Sequence, residues 1–180
     1  MEELIKLDES FNEGMFITKV NNIFVMLHTA IMLDNLDRFR HFISDKLENK
    51  YELLLKEYRD NNLKQMYDEL NVKDTEILNI EIIENKVSIK VKLISRYMDY
   101  FVDKDTLEFK SGINDRRIQK TNYLTFEKCL DAKYDNIVRK CQNCGASIDV
   151  NSDGKCKYCR SIYNVEKYDW ILTDIEVIEN

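Results

Sequence analysis

The stretch that decides the fold runs from Ile80 to Leu93 and reads IEIIENKVSIKVKL. Apolar and polar residues alternate on both sides of Glu84-Asn85, and this period of two indicates strands with one buried face. Glu84-Asn85 is typical of a tight turn, so the two halves are predicted to pair as an antiparallel hairpin. The second strand continues to about Phe101, and its apolar parity slips near Ser95-Arg96, which predicts a β-bulge.

Two further strands follow the hairpin. After a turn at Asp103-Lys104-Asp105, a strand from about Ile113 to Leu130 brings three apolar residues to one face: Ile118, Leu124 and Phe126. A final strand is predicted from Tyr168 to Val177. The period of two begins at about Leu70, so the second half of the chain is predicted to be a meander of long antiparallel strands.

Helical spacing precedes the strands. Ser10-Phe11-Asn12-Glu13 matches a capping box, and apolar residues then recur on one stripe: Phe16, Val20, Ile23, Phe24, Leu27 and Ile31. Four more apolar residues widen the stripe, so we expect this helix to be covered on more than one side: Ile17, Val25, Met26 and Met32. A short turn carries Leu36 and Phe39. Ser44 then caps a second helix that ends at Asn61-Asn62, with its apolar residues at Leu47, Tyr51, Leu54 and Tyr58.

Helices followed by antiparallel strands define the α+β class. We expect N-terminal helices packed in a strongly bent, cone-shaped antiparallel sheet, with Phe24, Leu27 and Phe126 buried where the first long helix meets it. Residues 1–10 form a short acidic segment before this domain, which is predicted to span residues 11–180.

Two Cys-x-x-Cys pairs, Cys141-Gln-Asn-Cys144 and Cys156-Lys-Tyr-Cys159, are separated by eleven residues. Each pair can turn both sulfurs toward one ion, and the turn sequence Asn151-Ser-Asp-Gly154 can fold the second pair over the first. The spacing predicts one structural zinc per chain, held by four thiolates in a small ribbon over residues 139–163, before the last strand. Two disulfides or a redox-active pair are the alternatives, and the twin spacing without an export signal favours zinc.

Composition narrows the range of functions. The chain has 180 residues, of which 44% are hydrophobic and 33% charged, as in an ordinary globular domain. Its formal net charge of −6 argues against nonspecific binding of nucleic acid.

No membrane span and no export signal are predicted. The most apolar run, Ile23–Leu33, is shorter than the roughly 20 residues that a bilayer requires. The start, Met1–Lys6, lacks the basic and apolar regions of a signal peptide, which with reduced cysteines predicts a cytoplasmic protein. Cys129, outside the ribbon, is expected to be a small buried apolar residue.

Several short motifs, taken in order, resemble one family. They are Phe11-Asn-Glu-Gly-Met-Phe16, Val20-Asn-Asn-Ile-Phe24, Asn35-Leu-Asp37, Ile43-Ser-Asp45, Tyr100-Phe-Val-Asp103, Tyr123-Leu-Thr-Phe126 and Asp169-Trp170. In this order they resemble the Tim44-like domain family, over about residues 11–180. The position of the ribbon is similar to that in a bacterial branch with a four-cysteine insertion before the final strand.

The resemblance implies a fold related to the nuclear transport factor two-like fold, with an apolar pocket between sheet and helices that could hold an apolar ligand. It also implies a noncatalytic scaffold in protein translocation or membrane-associated assembly, with a membrane-associated protein partner at the inner face of the cell membrane. Mitochondrial members carry additional N-terminal helices that touch lipid. This chain has about ten residues before its first family helix, so the same route of lipid anchoring is not implied.

Two other functions remain open. An enzyme or small-ligand binder would need an acid–base pair in the pocket, and His28 and Asp99 are the candidates to face it. A nucleic-acid-binding ribbon would rest on Arg116-Arg117 and on the basic residues between Arg139 and Arg160, where five Lys or Arg oppose two Asp. The same basic residues could contact a membrane surface weakly. A closed four-thiolate site cannot activate water, so binding without catalysis is the favoured function.

Overall fold

In the part of the chain that the structure describes, helices precede one antiparallel sheet, so the predicted α+β class is confirmed. The computed structural model describes residues 2–8, 11–37, 39–130, 146, 158–159 and 170–178. The elements in chain order are α1 (Glu2–Leu7), α2 (Glu13–Met32), a 3₁₀ turn (Arg40–Phe42), α3 (Asp45–Asp60), β1 (Leu63–Ile83), β2 (Lys86–Asp103), β3 (Phe109–Cys129) and β4 (Ile171–Ile178).

The four strands lie in the order β1-β2-β3-β4 and pair antiparallel throughout. Ile83 pairs with Lys86, so Glu84-Asn85 forms the predicted hairpin turn, with Glu84 in the left-handed region at φ 54°. β1 begins at Leu63, earlier than the predicted start near Leu70. Its first inward residues include the buried Gln65, and this polar side chain conceals the alternation in the sequence.

The apparent slip in β2 has a different origin from the one predicted. Burial alternates without interruption through Leu93, Ser95 and Tyr97, and the register shift lies between Tyr97 and Asp99. Ser95 is fully buried, and its hydroxyl accepts a hydrogen bond of 2.9 Å from Asn122 Nδ2. The buried polar Ser95 therefore accounts for the slip in apolar parity, and a pairing irregularity does lie close to the predicted site, after Tyr97.

The strong bend expected of the sheet is not found, because the four described strands are not strongly curled. β1 and β4 lie at opposite edges of one open sheet. The pairing of its strands is interrupted only by short register shifts, such as the one between Asp68 and Asn71 in β1. The helices cover one face, and covering one face of an open sheet does not require the sheet to close around them.

The core lies between α2, α3 and the inner face of β2 and β3. Phe24, Leu27 and Phe126 are buried, as predicted. The side chains they meet from the centre of the sheet are fully buried as well: Val87, Ile89, Val91, Leu93 and Leu124.

The sequence predicted that α2 would be buried on more than one side, but two of the residues that suggested this are exposed. Val25 and Met26 are 39% and 37% exposed, while Ile17 and Met32 are half-buried. The helix lies on one face of the sheet, so its opposite side faces away from the core.

The helix caps agree with the sequence in one case and differ in the other. Ser44 caps α3 as predicted, accepting from Leu47 N. The N-cap of α2 is Asn12 and not Ser10. Asn12 Oδ1 accepts a hydrogen bond of 2.9 Å from Met15 N, and the helix begins at Glu13, directly after Asn12. The acidic segment before it contains α1, which the sequence did not predict, and its Leu4 is fully buried.

α2 is longer than the apolar run Ile23–Leu33 suggested. Its 20 residues, Glu13–Met32, are long and apolar enough to cross a membrane by length and composition. The core helix of a soluble protein meets the same criterion. Here eight α2 side chains, Phe24 and Leu27 among them, are buried in the fold.

Candidate functional site

A groove runs along the N-terminal half of α2, beside the end of α1 and the start of β4. We call it the α2 groove, and its volume of about 500 Å³ is in the size range of small-ligand pockets. Its lining is mostly apolar and consists of Asp8, Phe11, Asn12, Met15, Phe16, Thr18, Lys19, Asn22, Ile23, Met26, Phe42, Lys128 and Trp170.

Aromatic rings form one wall of the α2 groove. Phe16 meets Trp170 edge-on with ring centroids 5.0 Å apart, and it meets Phe126 of the core at 5.7 Å. Phe11 packs on both Phe16 and Trp170, at 5.8 and 6.0 Å. Edge-to-face contacts of this kind are favourable, so the rings form one packed aromatic wall.

A buried ion pair interrupts this apolar lining. Lys128 Nζ lies 2.5 Å from Asp8 Oδ2, and the two residues are only 3% and 8% exposed. Lys128 also lies over the ring of Trp170, 5.7 Å from its centroid. A buried cation without a partner is strongly destabilising, so Asp8 compensates Lys128 inside the groove.

A second polar group lies under the C-terminal half of α2. His28 Nδ1 donates to the carbonyl of Phe24 at 2.8 Å, and the imidazole packs between Phe24 and Tyr67 with centroids at 4.2 and 4.6 Å. Burial lowers the pKa of His28 to about 4, against the smaller opposing effects of the Phe24 carbonyl and the Asp99 charge. His28 is therefore neutral near pH 7.

Asp99 faces the same interior but is held by other groups. Gln65 Nε2 donates to Asp99 Oδ1 at 2.7 Å, and Lys120 Nζ donates to Oδ2 at 2.6 Å. The structure brings His28 and Asp99 into electrostatic range, but each has its hydrogen bonds elsewhere among the described residues. Neither residue lines the α2 groove or the cavity at the C-terminal end of α2, so the sequence-based expectation that they face a pocket does not hold for these two cavities. A neutral histidine and a carboxylate paired with lysine do not form the acid–base couple that the enzyme hypothesis requires.

A smaller cavity of about 300 Å³ lies at the C-terminal end of α2 and includes Gln65 in its lining. Three of its four charged lining residues are paired with one another, since Arg59 and Lys104 both donate to Asp34, at 2.5 and 3.3 Å. These side chains are partly exposed, so the pairs are screened by solvent.

Three of the four predicted zinc ligands, Cys141, Cys144 and Cys156, lie outside the described residues, and Cys159 is half-buried. Four thiols are the donor set of a closed structural zinc site, so the residue types fit the metal. Within the described ranges no cluster of His, Cys, Asp or Glu could hold a metal ion. Cys129 is half-buried, less enclosed than predicted.

Arg116 and Arg117, the basic pair considered for nucleic acid, lie exposed on β3. Each has an acidic neighbour: Arg116 contacts Asp115 at 3.3 Å and Arg117 contacts Glu69 at 3.4 Å. Their charge is locally balanced, which does not favour a phosphate-binding surface.

The sequence reasoning did not identify the ion pair of the α2 groove. A signal for Lys128 was present, because it shares the inward parity of Leu124 and Phe126 on β3. A charged residue at a buried strand position indicates a buried partner. Asp8 could not be paired with it from sequence, since 120 residues separate the two.

The described residues form a helix-on-sheet α+β domain with a groove along α2. The sequence pattern of the Tim44-like domain matches residues 1–137, and the chain belongs to this family. The match includes α1 and ends before Cys141, so it does not extend to the predicted ribbon. No curated protein matches the chain.

Membership supports general statements about function. Tim44-like domains belong to a family of scaffolds related to protein translocation and are generally noncatalytic. They generally interact with proteins and associate with membranes.

Proposed function

We propose that this protein is a noncatalytic scaffold that binds a membrane-associated protein partner during protein translocation or membrane-associated assembly. The observation that carries the proposal is the Tim44-like match over residues 1–137. The protein acts from the cytoplasm, at the inner face of the cell membrane, and one zinc held by Cys141, Cys144, Cys156 and Cys159 staples a ribbon that serves as a contact.

The α2 groove is the second proposed contact. Met15 and Met26, on its rim, are 74% and 37% exposed, and adaptable methionines suit surfaces that receive a partner's apolar side chains. Outside the α2 groove, His28 and Asp99 have separate hydrogen-bond partners. This arrangement also supports binding over catalysis.

Retention on membranes tests the proposal. Purified protein is incubated with native membranes and with liposomes made from the same lipids, and the bound fraction is measured after sedimentation at two salt concentrations. We expect the native membranes to retain more protein. Binding to liposomes should be weak and should fade with salt, because only scattered basic residues drive it.

Matched variants locate the contact. Deletion of residues 141–159 should reduce retention, and so should Met15→Ser in the groove. Leu53→Ser is the control, since Leu53 is a comparably exposed apolar residue, 69% exposed on α3, away from the groove. Equal retention on both surfaces would refute recruitment by a protein, and metabolite turnover abolished by His28→Ala would refute the noncatalytic role.

A further inference from the structure

β1 is an edge strand of the sheet, and it is protected along most of its length but not at its end. Among the described residues it pairs with β2 alone, so its other edge presents backbone N–H and C=O groups without a strand partner. Open strand edges tend to pair with other chains, and proteins usually blunt them with bulges, charges or a covering helix.

The greater part of β1 carries such protection. Near the start of the strand, Tyr67 N donates to Met32 Sδ at 3.2 Å, so α2 already occupies this N–H group. Register shifts then interrupt the pairing with β2 at two places between residues 68 and 74. The same part of the strand is highly charged, with Asp68, Glu69, Lys73, Asp74 and Glu76. Bulges and charges both hinder the addition of another strand.

The last seven residues of β1, 77–83, lack this protection, and we call them the β1 end segment. They read ILNIEII, with five Ile or Leu and one charged residue, Glu81. After the last register shift the ladder with β2 is continuous from Asn79 to Ile83. Leu78 and Ile83 are 45% and 65% exposed. A short segment rich in β-branched residues, with little charge and without proline or glycine, is typical of strands that pair with other chains.

We propose that two copies of this protein pair antiparallel through the β1 end segment, with a twofold axis at Ile80, so that their sheets join into one. A twofold contact brings the same surface of both copies together. This axis places Ile80 opposite Ile80 of the second copy. It also places Asn79 opposite Glu81 of the second copy, twice by symmetry.

The faces of the strand select this register. Ile80 faces the core, since it pairs with the fully buried Ile89, and Asn79 and Glu81 share the outer face, where Asn79 Nδ2 donates to Glu81 Oε1 at 2.8 Å. Residues directly opposite each other in a ladder share a face, so an axis between Ile80 and Glu81 would oppose inner to outer residues. An axis at Glu81 would oppose two carboxylates, which is unfavourable. The axis at Ile80 opposes apolar to apolar residues and amide to carboxylate.

The short ladder implies a reversible dimer. Its contact is smaller than the roughly 1,200–2,000 Å² that stable interfaces bury, so we expect monomer and dimer to exchange with concentration. The inference does not depend on the membrane partner. A monomeric protein would leave the proposed scaffold function standing, and failure of membrane retention would leave the dimer standing.

Sedimentation equilibrium of the full chain tests the dimer and its register. The mass should rise from 21.5 kDa toward twice this value as concentration increases. Asn79→Lys should tighten the dimer and Asn79→Glu should weaken it, because this side chain lies opposite Glu81 of the second copy. Two symmetric cross-strand charge pairs change the dissociation constant by about two- to thirtyfold, in opposite directions for the two variants.

A charge swap and a matched control isolate the contact. Asn79→Glu combined with Glu81→Lys again opposes unlike charges, so this double variant should recover the dimer that Asn79→Glu loses. Asn114→Lys and Asn114→Glu are the controls, since Asn114 is an exposed asparagine on β3, two strands away from the edge of β1. Both should dimerise like the wild type, and circular dichroism checks that each variant is folded.

The contrary outcomes are distinct. A monomer at every concentration would overturn the proposal, even if a strand of another protein bound the same edge. A dimer that responds equally to Asn79→Lys and Asn79→Glu would place the contact elsewhere and would overturn it too. Growth beyond two copies would show unspecific edge pairing instead of the proposed twofold contact.

Discussion

Lys120 donates a hydrogen bond of 2.6 Å from Nζ to Oδ2 of Asp99, on the inner face of the sheet. The two side chains are 12% and 21% exposed, so the pair is partly shielded from water. Gln65 occupies the other carboxylate oxygen. These two hydrogen bonds hold the Asp99 carboxylate in place beneath the helices, and neither of them involves His28.

Removal of the lysine should therefore destabilise the fold. Lys120→Met leaves Asp99 without its cation, and we expect a loss of about 1–3 kcal/mol in the free energy of unfolding, below the cost for a fully buried pair because some water reaches this one. Lys110→Met is the control, since Lys110 pairs with Asp103 but its side chain is 44% exposed. Denaturant titration measures both changes, and equal losses would contradict the role given to burial.

The burial of His28 predicts a dependence of stability on pH. Its pKa falls from an ordinary value of 6.5 to about 4 in the fold, so between these values the unfolded chain binds more protons. Stability is full above pH 6.5 and is lost as the pH falls. The expected loss is about 2 kcal/mol between pH 7 and pH 5, from denaturant titrations at each pH.

Two variants test whether His28, and not another titrating group, causes this loss of stability. His28→Phe should remove this loss, because an aromatic ring can replace the imidazole between Phe24 and Tyr67. The same change at His41, the other histidine of the chain, should leave it in place. A pH dependence unaltered by His28→Phe would show that the histidine is not responsible.

Alternating strands and helical stripes were readable from the sequence because burial in this fold follows one face of each element. On β2, every second residue from Val87 to Leu93 is buried on the inner face. On α2, Phe24 and Leu27 are buried at helical spacing. The curvature of the sheet was not readable. It depends on how strands and helices fit in three dimensions, which the alternation of residues along each strand does not specify.

The chemistry of the interior was harder to predict than its apolar residues. His28 and Asp99 lie on the inner side of the sheet but line neither described cavity, and their partners Phe24, Gln65 and Lys120 are set by strand register and helix position. The same holds for Asp8 and Lys128. Periodicity identifies the face on which a charged residue lies, but not the distant residue that compensates it.

Phe24 tests the packing of α2 on the sheet. Its side chain is fully buried, so Phe24→Ala should lower the free energy of unfolding by about 3–5 kcal/mol, the usual cost of a large core cavity. Val25→Ala is the control on the same helix, because Val25 is 39% exposed and should cost less than about 1 kcal/mol. Similar losses in the two variants would show that α2 does not pack on the sheet as described.

Zinc content tests the predicted ribbon. Protein purified without chelator should contain one zinc per chain by elemental analysis, and Cys144→Ser should lose it, because three thiolates leave the closed site incomplete. Structural zinc in peptides of this size contributes on the order of 10 kcal/mol to folding, so the metal is the expected source of order for residues 139–163. Cys129 is not one of the four predicted ligands, so the Cys129→Ser variant should still contain one zinc per chain. Disulfides within the two pairs, found by mass spectrometry in place of the metal, would contradict the zinc site.

The core should survive the loss of zinc, since Phe24, Leu93 and Phe126 lie in α2, β2 and β3, before the first cysteine of the ribbon. We therefore expect Cys144→Ser to keep the cooperative unfolding of the wild-type core while residues 139–163 become sensitive to protease. Limited proteolysis followed by mass spectrometry locates the cleavage sites, and denaturant titration follows the core. Loss of cooperative unfolding in Cys144→Ser would show that the ribbon and the core fold as one unit, because the metal would then stabilise the sheet and helices as well.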